Sequence, residues 1–136
     1  MDESAAERTK LPVGTHIVVA AFTTSGVVHL LRPQVFVPLI PRALGPATPW
    51  VIASGVAELG CAAGLATRRP WAPAATTATL AAIWVGNWSM ALKWQRSERR
   101  STAEKVVGWA RLPLQVPLMV WAWKSPVVSS PRRLDP

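Results

Sequence analysis

The chain has little of what a soluble or catalytic domain uses. Its one cysteine, Cys61, excludes an internal disulfide, and its place inside an apolar run reads as a small packing residue. With only two histidines beside it, no Cys/His spacing resembles a metal site. Those two, His16 and His29, stand near opposite ends of one apolar run, about 13 residues or ~20 Å apart along a helix, which does not suit two ligands on facing sides of one haem. There is no G-x-S-x-G, no Walker A phosphate loop and no H-E-x-x-H, so the common nucleophilic, phosphoryl-transfer and zinc-hydrolase chemistries have no carrier here. No metal and no cofactor is expected to be bound by this chain alone. A cleavable leader is not expected either: MDESAAERTK mixes its charges, and the apolar run that follows is long for a signal core and has no clear cleavage site. Charged residues are scarce, at 16%, against about a quarter in soluble proteins.

What the 136 residues do contain is four long apolar runs, with half of all residues hydrophobic. The net charge of +8 does not point to nucleic acid. Its basic residues fall between the runs, at Arg32 and Arg42, Arg68 and Arg69, the cluster from Lys93 to Lys105, and Lys124, Arg132 and Arg133. That is how a membrane protein distributes charge, and no folded basic domain is left to bind a polynucleotide. Arginine outnumbers lysine amid abundant Ala and Pro, a mark of GC-rich coding sequence with no physical role.

The runs predict four transmembrane helices in one domain over residues 11–124, with spans near 11–31, 47–67, 71–92 and 102–124. Residues 1–10 form a polar tail, and residues 125–136 read as a disordered one. Between the first two spans, Pro33, Pro38, Pro41 and Pro46 forbid a long regular helix. Their apolar neighbours and flanking arginines predict a short amphipathic connector lying in the membrane interface. Gly60-x-x-x-Gly64 on the second span is small-residue spacing that lets another helix approach closely. Trp71 and Trp94 bracket the third span as belt residues. Ser101-Thr102-Ala103-Glu104 has capping-box spacing and starts the fourth helix, which then carries Pro113 and Pro117, two invitations to kink. The expected fold class is therefore all-α, an integral membrane four-helix bundle running up-down-up-down. It is placed in the plasma membrane as a multi-pass protein, both termini on the same, cytoplasmic side, although Lys and Arg divide evenly between the faces.

The stretch Ala47 to Thr67 organises the rest, because it carries Glu58 near its middle. A carboxylate at that depth is costly unless it finds a partner or carries a proton. Counting from the face that holds the connector and the loop 93–105, His29 lies within a turn of the surface and Asn87 about 7 Å in. Arg111 is at similar depth, Glu58 about 12–16 Å in, and Gln115 near Glu58. Each helix thus brings a polar group to the same half of the bilayer. The expected site is an intramembrane cluster of His29, Glu58, Asn87, Arg111 and Gln115, in which the Arg111 fork of N–H donors reaches Glu58. The competing expectation is that Arg111 snorkels to the surface.

Several segments resemble the DoxX-like membrane proteins. They are Ser25-Gly26-Val27-Val28-His29-Leu30-Leu31-Arg32-Pro33, Phe36, Ile40-Pro41, Ser54-Gly55-Val56-Ala57-Glu58-Leu59, Gly86-Asn87-Trp88-Ser89-Met90-Ala91-Leu92, and Ala110-Arg111-Leu112-Pro113-Leu114-Gln115. The resemblance covers roughly residues 15–123. It implies a four-helix membrane protein and, in several members, an association with quinone-linked respiratory chemistry. A narrower similarity, to the small association factors of the actinobacterial respiratory supercomplex, implies packing against subunits of cytochrome bc and cytochrome aa3 oxidase. The leading expectation is a non-catalytic accessory membrane subunit that supports such a complex. Eight tryptophans, a small-residue helix face and the absence of a complete catalytic set are its physical basis. The alternatives are a quinone-linked oxidoreductase component with His29 and Glu58 handling protons, and a small proton or solute transporter. Contact with a quinone or with lipid is compatible with all three.

Overall fold

A computed structural model describes residues 10–128. The polar residues 1–9 and the tail residues 129–136, on which the expectations of frayed ends partly fall, lie outside it. Among the described residues the chain is all-helical, with no strand. We number the long helices α1 (Val13–Leu31), α2 (Ala47–Ala66), α3 (Ala72–Arg96) and α4 (Thr102–Trp123). Two of them, α1 and α2, are long and apolar enough to cross a membrane by length and composition. The other two are diluted, α3 by threonines and Asn87 and by Lys93 and Arg96 in its last turn, α4 by Glu104, Lys105, Arg111 and Gln115.

Local chemistry sets where each helix starts and stops. Pro12 and Pro46 are the N-caps of α1 and α2, and α3 has a proline in its first turn, where a missing N–H costs nothing. Helix α4 begins with a complete capping box. Ser101 Oγ accepts from the Glu104 N–H at 3.2 Å, and the Ser101 N–H donates to Glu104 Oε2 at 2.9 Å. The connector between α1 and α2 is three single 3-10 turns, Pro33–Val35, Val37–Leu39 and Arg42–Leu44. Its prolines allow turns and no more. Gly45, at φ 77°, makes the left-handed corner before α2. The α2–α3 turn is tighter. Arg69 N–H bonds to Gly64 C=O at 2.8 Å and Arg68 N–H to Leu65 C=O at 3.1 Å, with Arg68 itself at φ 55°. This is a Schellman end with arginine where glycine is usual.

Each helix packs antiparallel to the next, and α4 returns to α1. The closest associations are α1 with α2 and α3 with α4, so the molecule is two hairpins laid together. Buried positions recur at intervals of three, four or seven: Thr15, Val18, Phe22, Gly26 and His29 on α1, and Gly108, Leu112, Gln115 and Ala122 on α4. That is the seam spacing of helices crossing at a shallow angle. The apolar core lies toward the α2–α3 turn, around Val18, Phe22, Cys61, Leu65 and Leu80. Beyond the fourth helix, residues 125–128 are held in place, contrary to the disorder read from sequence. Ser125 is buried, its hydroxyl 3.0 Å from Thr15 Oγ1, and the Val128 N–H donates to Arg68 C=O at 3.0 Å.

Candidate functional site

The site forms where α1 crosses α2. Gly26 and Gly55 meet there with no room for a side chain. A Cβ on Gly26 would stand 2.9 Å from the Gly55 carbonyl oxygen, and one on Gly55 would stand 3.1 Å from that of Gly26 and 2.7 Å from His29 Cβ. One turn further on each helix come His29 and Glu58, both buried, with His29 Nδ1 3.9 Å from Glu58 Oε2.

The His29 ring is held on three sides. Nδ1 lies 2.8 Å from the Ser25 carbonyl oxygen. A carbonyl only accepts, so Nδ1 carries the proton. The Ser25 hydroxyl is 3.3 Å from the same nitrogen and within reach of the Glu58 carboxyl. Phe36, from the connector, stacks on the imidazole at 3.7 Å between ring centroids. Glu58 is only 2% exposed, yet its Oε2 has no hydrogen-bond partner.

The other hairpin supplies a second polar group. Asn87 Nδ2 donates to Gln115 Oε1 at 2.8 Å, and Gln115 Nε2 donates to the Leu80 carbonyl at 2.6 Å. Trp84 ties the same helices together, donating to the Leu112 carbonyl at 3.1 Å. Arg111 does not complete the network. The ion pair with Glu58 suggested by sequence is not formed. Arg111 is exposed, and its guanidinium lies 4.0 Å from Met90 Sδ. Its position on α4, one residue before the buried Leu112, turns it off the seam, and the partner of Glu58 is His29.

Four of the five residues nonetheless border one space, and Gln115 borders a second beside it. A cavity of about 670 Å³ opens between α2 and α3 beneath the connector, and His29, Glu58, Asn87 and Arg111 border it. A smaller one of about 240 Å³ opens on the α1–α4 side and is bordered by Glu58, Asn87, Arg111 and Gln115. Glu58 is thus reached from both sides of the gap between the hairpins.

The predicted packing motif is split. Gly64 is a close contact, where a Cβ would stand 2.6 Å from the Trp71 ring and 2.9 Å from Ala72 Cβ. Gly60 is exposed with nothing within 4 Å. The glycines that bring α1 and α2 together are Gly26 and Gly55. A signal for them was present: Ser25-Gly26-Val27-x-His29-Leu30 and Ser54-Gly55-Val56-x-Glu58-Leu59 are one pattern written twice. Ser25 and Phe36, which hold His29, stand in the segments that carry the family resemblance but have no other mark in the sequence.

Fold and site together define an all-helical protein with a buried His–Glu pair facing an apolar cavity between two hairpins. Residues 18–126 match the family described as Domain of unknown function (DUF8561), and the chain belongs to that family. The match takes in most of α1, the other three helices and every residue of the polar cluster. No curated protein and no solved structure matches the chain.

Proposed function

We propose that the protein is a four-helix integral membrane protein of the plasma membrane, with its connector in the interface, that serves as a non-catalytic accessory subunit of a larger membrane complex. One observation carries the reading: polarity is arranged inside out. Val56, Val85 and Leu114 are outward and about 60% exposed, while Glu58, Gln115 and His29 face inward. A helix in lipid turns its ionisable residues to the bundle interior and leaves aliphatic ones outside. Helices of 19 to 25 residues rise about 28–38 Å, enough for a hydrocarbon core of about 30 Å. Exposed Trp50 and Trp71, at opposite ends of α2, suit the two interfaces.

The outward faces of α3 and α4 carry the tryptophans Trp88, Trp109, Trp121 and Trp123 and offer a broad surface for lateral packing. From the DoxX-like resemblance, the expected partner is a respiratory assembly of cytochrome bc and cytochrome aa3 oxidase. A tagged pull-down from native membranes in mild detergent tests this, read by mass spectrometry and a visible spectrum. Haem-bearing subunits in stoichiometric yield are expected. A colourless single band overturns the accessory role, and extraction of the protein by alkaline carbonate overturns the membrane reading. The cavity favours a second reading, a quinone-linked membrane component in which His29 and Glu58 handle protons. Loss of quinone reduction in Glu58→Gln membranes, with assembly intact, would mark it.

A further inference from the structure

We infer that the cavity between α2 and α3 binds a neutral lipophile whose head offers an O–H, a long-chain alcohol or phenol, with that O–H donated to Glu58 Oε2. The inference rests on the membrane reading only for the ligand's route of entry.

The two helices diverge to make the space. At the α2–α3 turn they touch, with Gly64 against Trp71 and Ala72, and Cys61 Sγ 3.8 Å from Thr79 Oγ1. Beyond Thr79 they separate, and the connector closes the wide end. Ala53, Ala57, Ala82 and Val85 are both exposed and on the cavity wall, so the mouth faces sideways, toward the surface that the membrane reading assigns to lipid. A volume of about 670 Å³ is that of a site for a small organic ligand.

Glu58 selects the head. Its Oε2 is buried and accepts no hydrogen bond, His29 Nδ1 standing 3.9 Å away, beyond hydrogen-bond reach. The Ser25 hydroxyl lies within reach of the carboxyl but leaves Oε2 without a hydrogen bond, and other donors on the wall are committed elsewhere. His29 Nδ1–H is held by Ser25 C=O, the Ser54 hydroxyl donates to Val51 C=O at 2.9 Å, and the Thr79 hydroxyl donates to Ala75 C=O at 2.8 Å. Asn87 Nδ2 donates one of its hydrogens to Gln115 Oε1. Among the described residues the other buried side-chain atom without a hydrogen bond is Thr76 Oγ1, and Thr76 borders neither cavity. The Arg111 guanidinium on the same wall disfavours a cationic head, and a full charge of either sign is costly to bring out of water beside the buried Glu58. A neutral donor remains.

Two probes separate the O–H from the apolar body: 4-octylphenol and its methyl ether, 4-octylanisole. Thermal unfolding of the purified protein is followed against each in one detergent. The phenol is expected to raise the midpoint, with an affinity about tenfold or more above that of the ether, the worth of one hydrogen bond to a carboxylate. Glu58→Met keeps the bulk, removes the acceptor and is expected to bring the two affinities together. Ala82→Phe fills the mouth and is expected to abolish both shifts. It leaves the polar groups intact, so it also stands in if the Met variant fails to fold. Equal shifts with phenol and ether in the wild type, no shift with the phenol, or a phenol shift that survives Ala82→Phe would each overturn the site. Because the assay uses isolated protein, a failed pull-down leaves it standing, and its own failure leaves the accessory role untouched.

Discussion

Gly26 and Gly55 face each other reciprocally, each occupying the space a side chain of the other would need, with Cβ-to-carbonyl distances of 2.9 and 3.1 Å. The pattern Ser-Gly-Val-x-(His or Glu)-Leu that surrounds both makes the crossing nearly two-fold. Glycine contact and His29–Glu58 pair follow as one unit, since the same approach that excludes a methyl group brings the two polar side chains together.

That contact predicts a clear ranking of glycine substitutions. Gly26→Ala and Gly55→Ala push a methyl group into backbone and should each destabilise by ~1–3 kcal/mol, the usual cost of overpacking. Gly60→Ala meets open space and should be neutral or stabilising by up to ~1 kcal/mol through helix propensity. Thermal unfolding in one detergent reads all three. A Gly60 variant as damaged as the other two would return the packing face to the Gly60-x-x-x-Gly64 motif.

Helical structure and the Ser101–Glu104 capping box were legible because both are local: run length, proline placement and a three-residue spacing suffice. The order of the polar residues along their helices was legible too, since rise per residue is constant. Azimuth was not. Counted along the helices, Arg111 stands level with Asn87 and within a side chain's reach of Glu58, but the buried seam through Gly108, Leu112 and Gln115 turns Arg111 aside, and only the packed register reveals it. The same holds for Gly60, one helix face among several, and for Ser125, whose partner Thr15 is at the other end of the chain.

His29, not Arg111, should be energetically coupled to Glu58. A double-mutant cycle on His29→Leu and Glu58→Leu is expected to give an interaction of ~1–3 kcal/mol, as for contacting buried groups. The same cycle with Arg111→Leu should give a value near zero, because the guanidinium is exposed and turned toward Met90. A large Arg111–Glu58 coupling would contradict the geometry. The exchange Glu58→Arg with Arg111→Glu should likewise recover nothing over its single changes.

Gln115 joins the helices of the second hairpin through both ends of its amide, and its orientation is set by the Leu80 carbonyl, which can only accept. Gln115→Leu leaves that carbonyl and the Asn87 amide short of partners and should cost ~1–3 kcal/mol per unmet buried group. Gln115→Glu keeps the acceptor for Asn87 but points an oxygen at Leu80 C=O. It is therefore expected to destabilise as well, despite its near-identical shape. Chemical unfolding of the two variants checks this; a neutral Glu variant would mean the amide is not held as described.

Acid sensitivity should be detectable at the start of α4. The Glu104 carboxyl lies below its ordinary value of 4.5, chiefly because it accepts the Ser101 N–H, with the Arg100 guanidinium and the Ser101 hydroxyl adding to this. Arg100 Nη1 stands 2.7 Å from Glu104 Oε1. A carboxyl depressed in the folded state stabilises in full above its unfolded value and loses that contribution as pH falls through the folded one. Helix α4 should thus be best capped at neutral pH and fray as the solution is acidified below about 4.5. Glu104→Gln keeps the side chain's shape and its carbonyl acceptor but no longer titrates. The stability difference between wild type and this variant should be largest at neutral pH and shrink on acidification. Amide hydrogen exchange over residues 102–106, compared at neutral and acid pH, locates the effect; equal protection at both would remove the capping carboxylate from the account of how α4 begins.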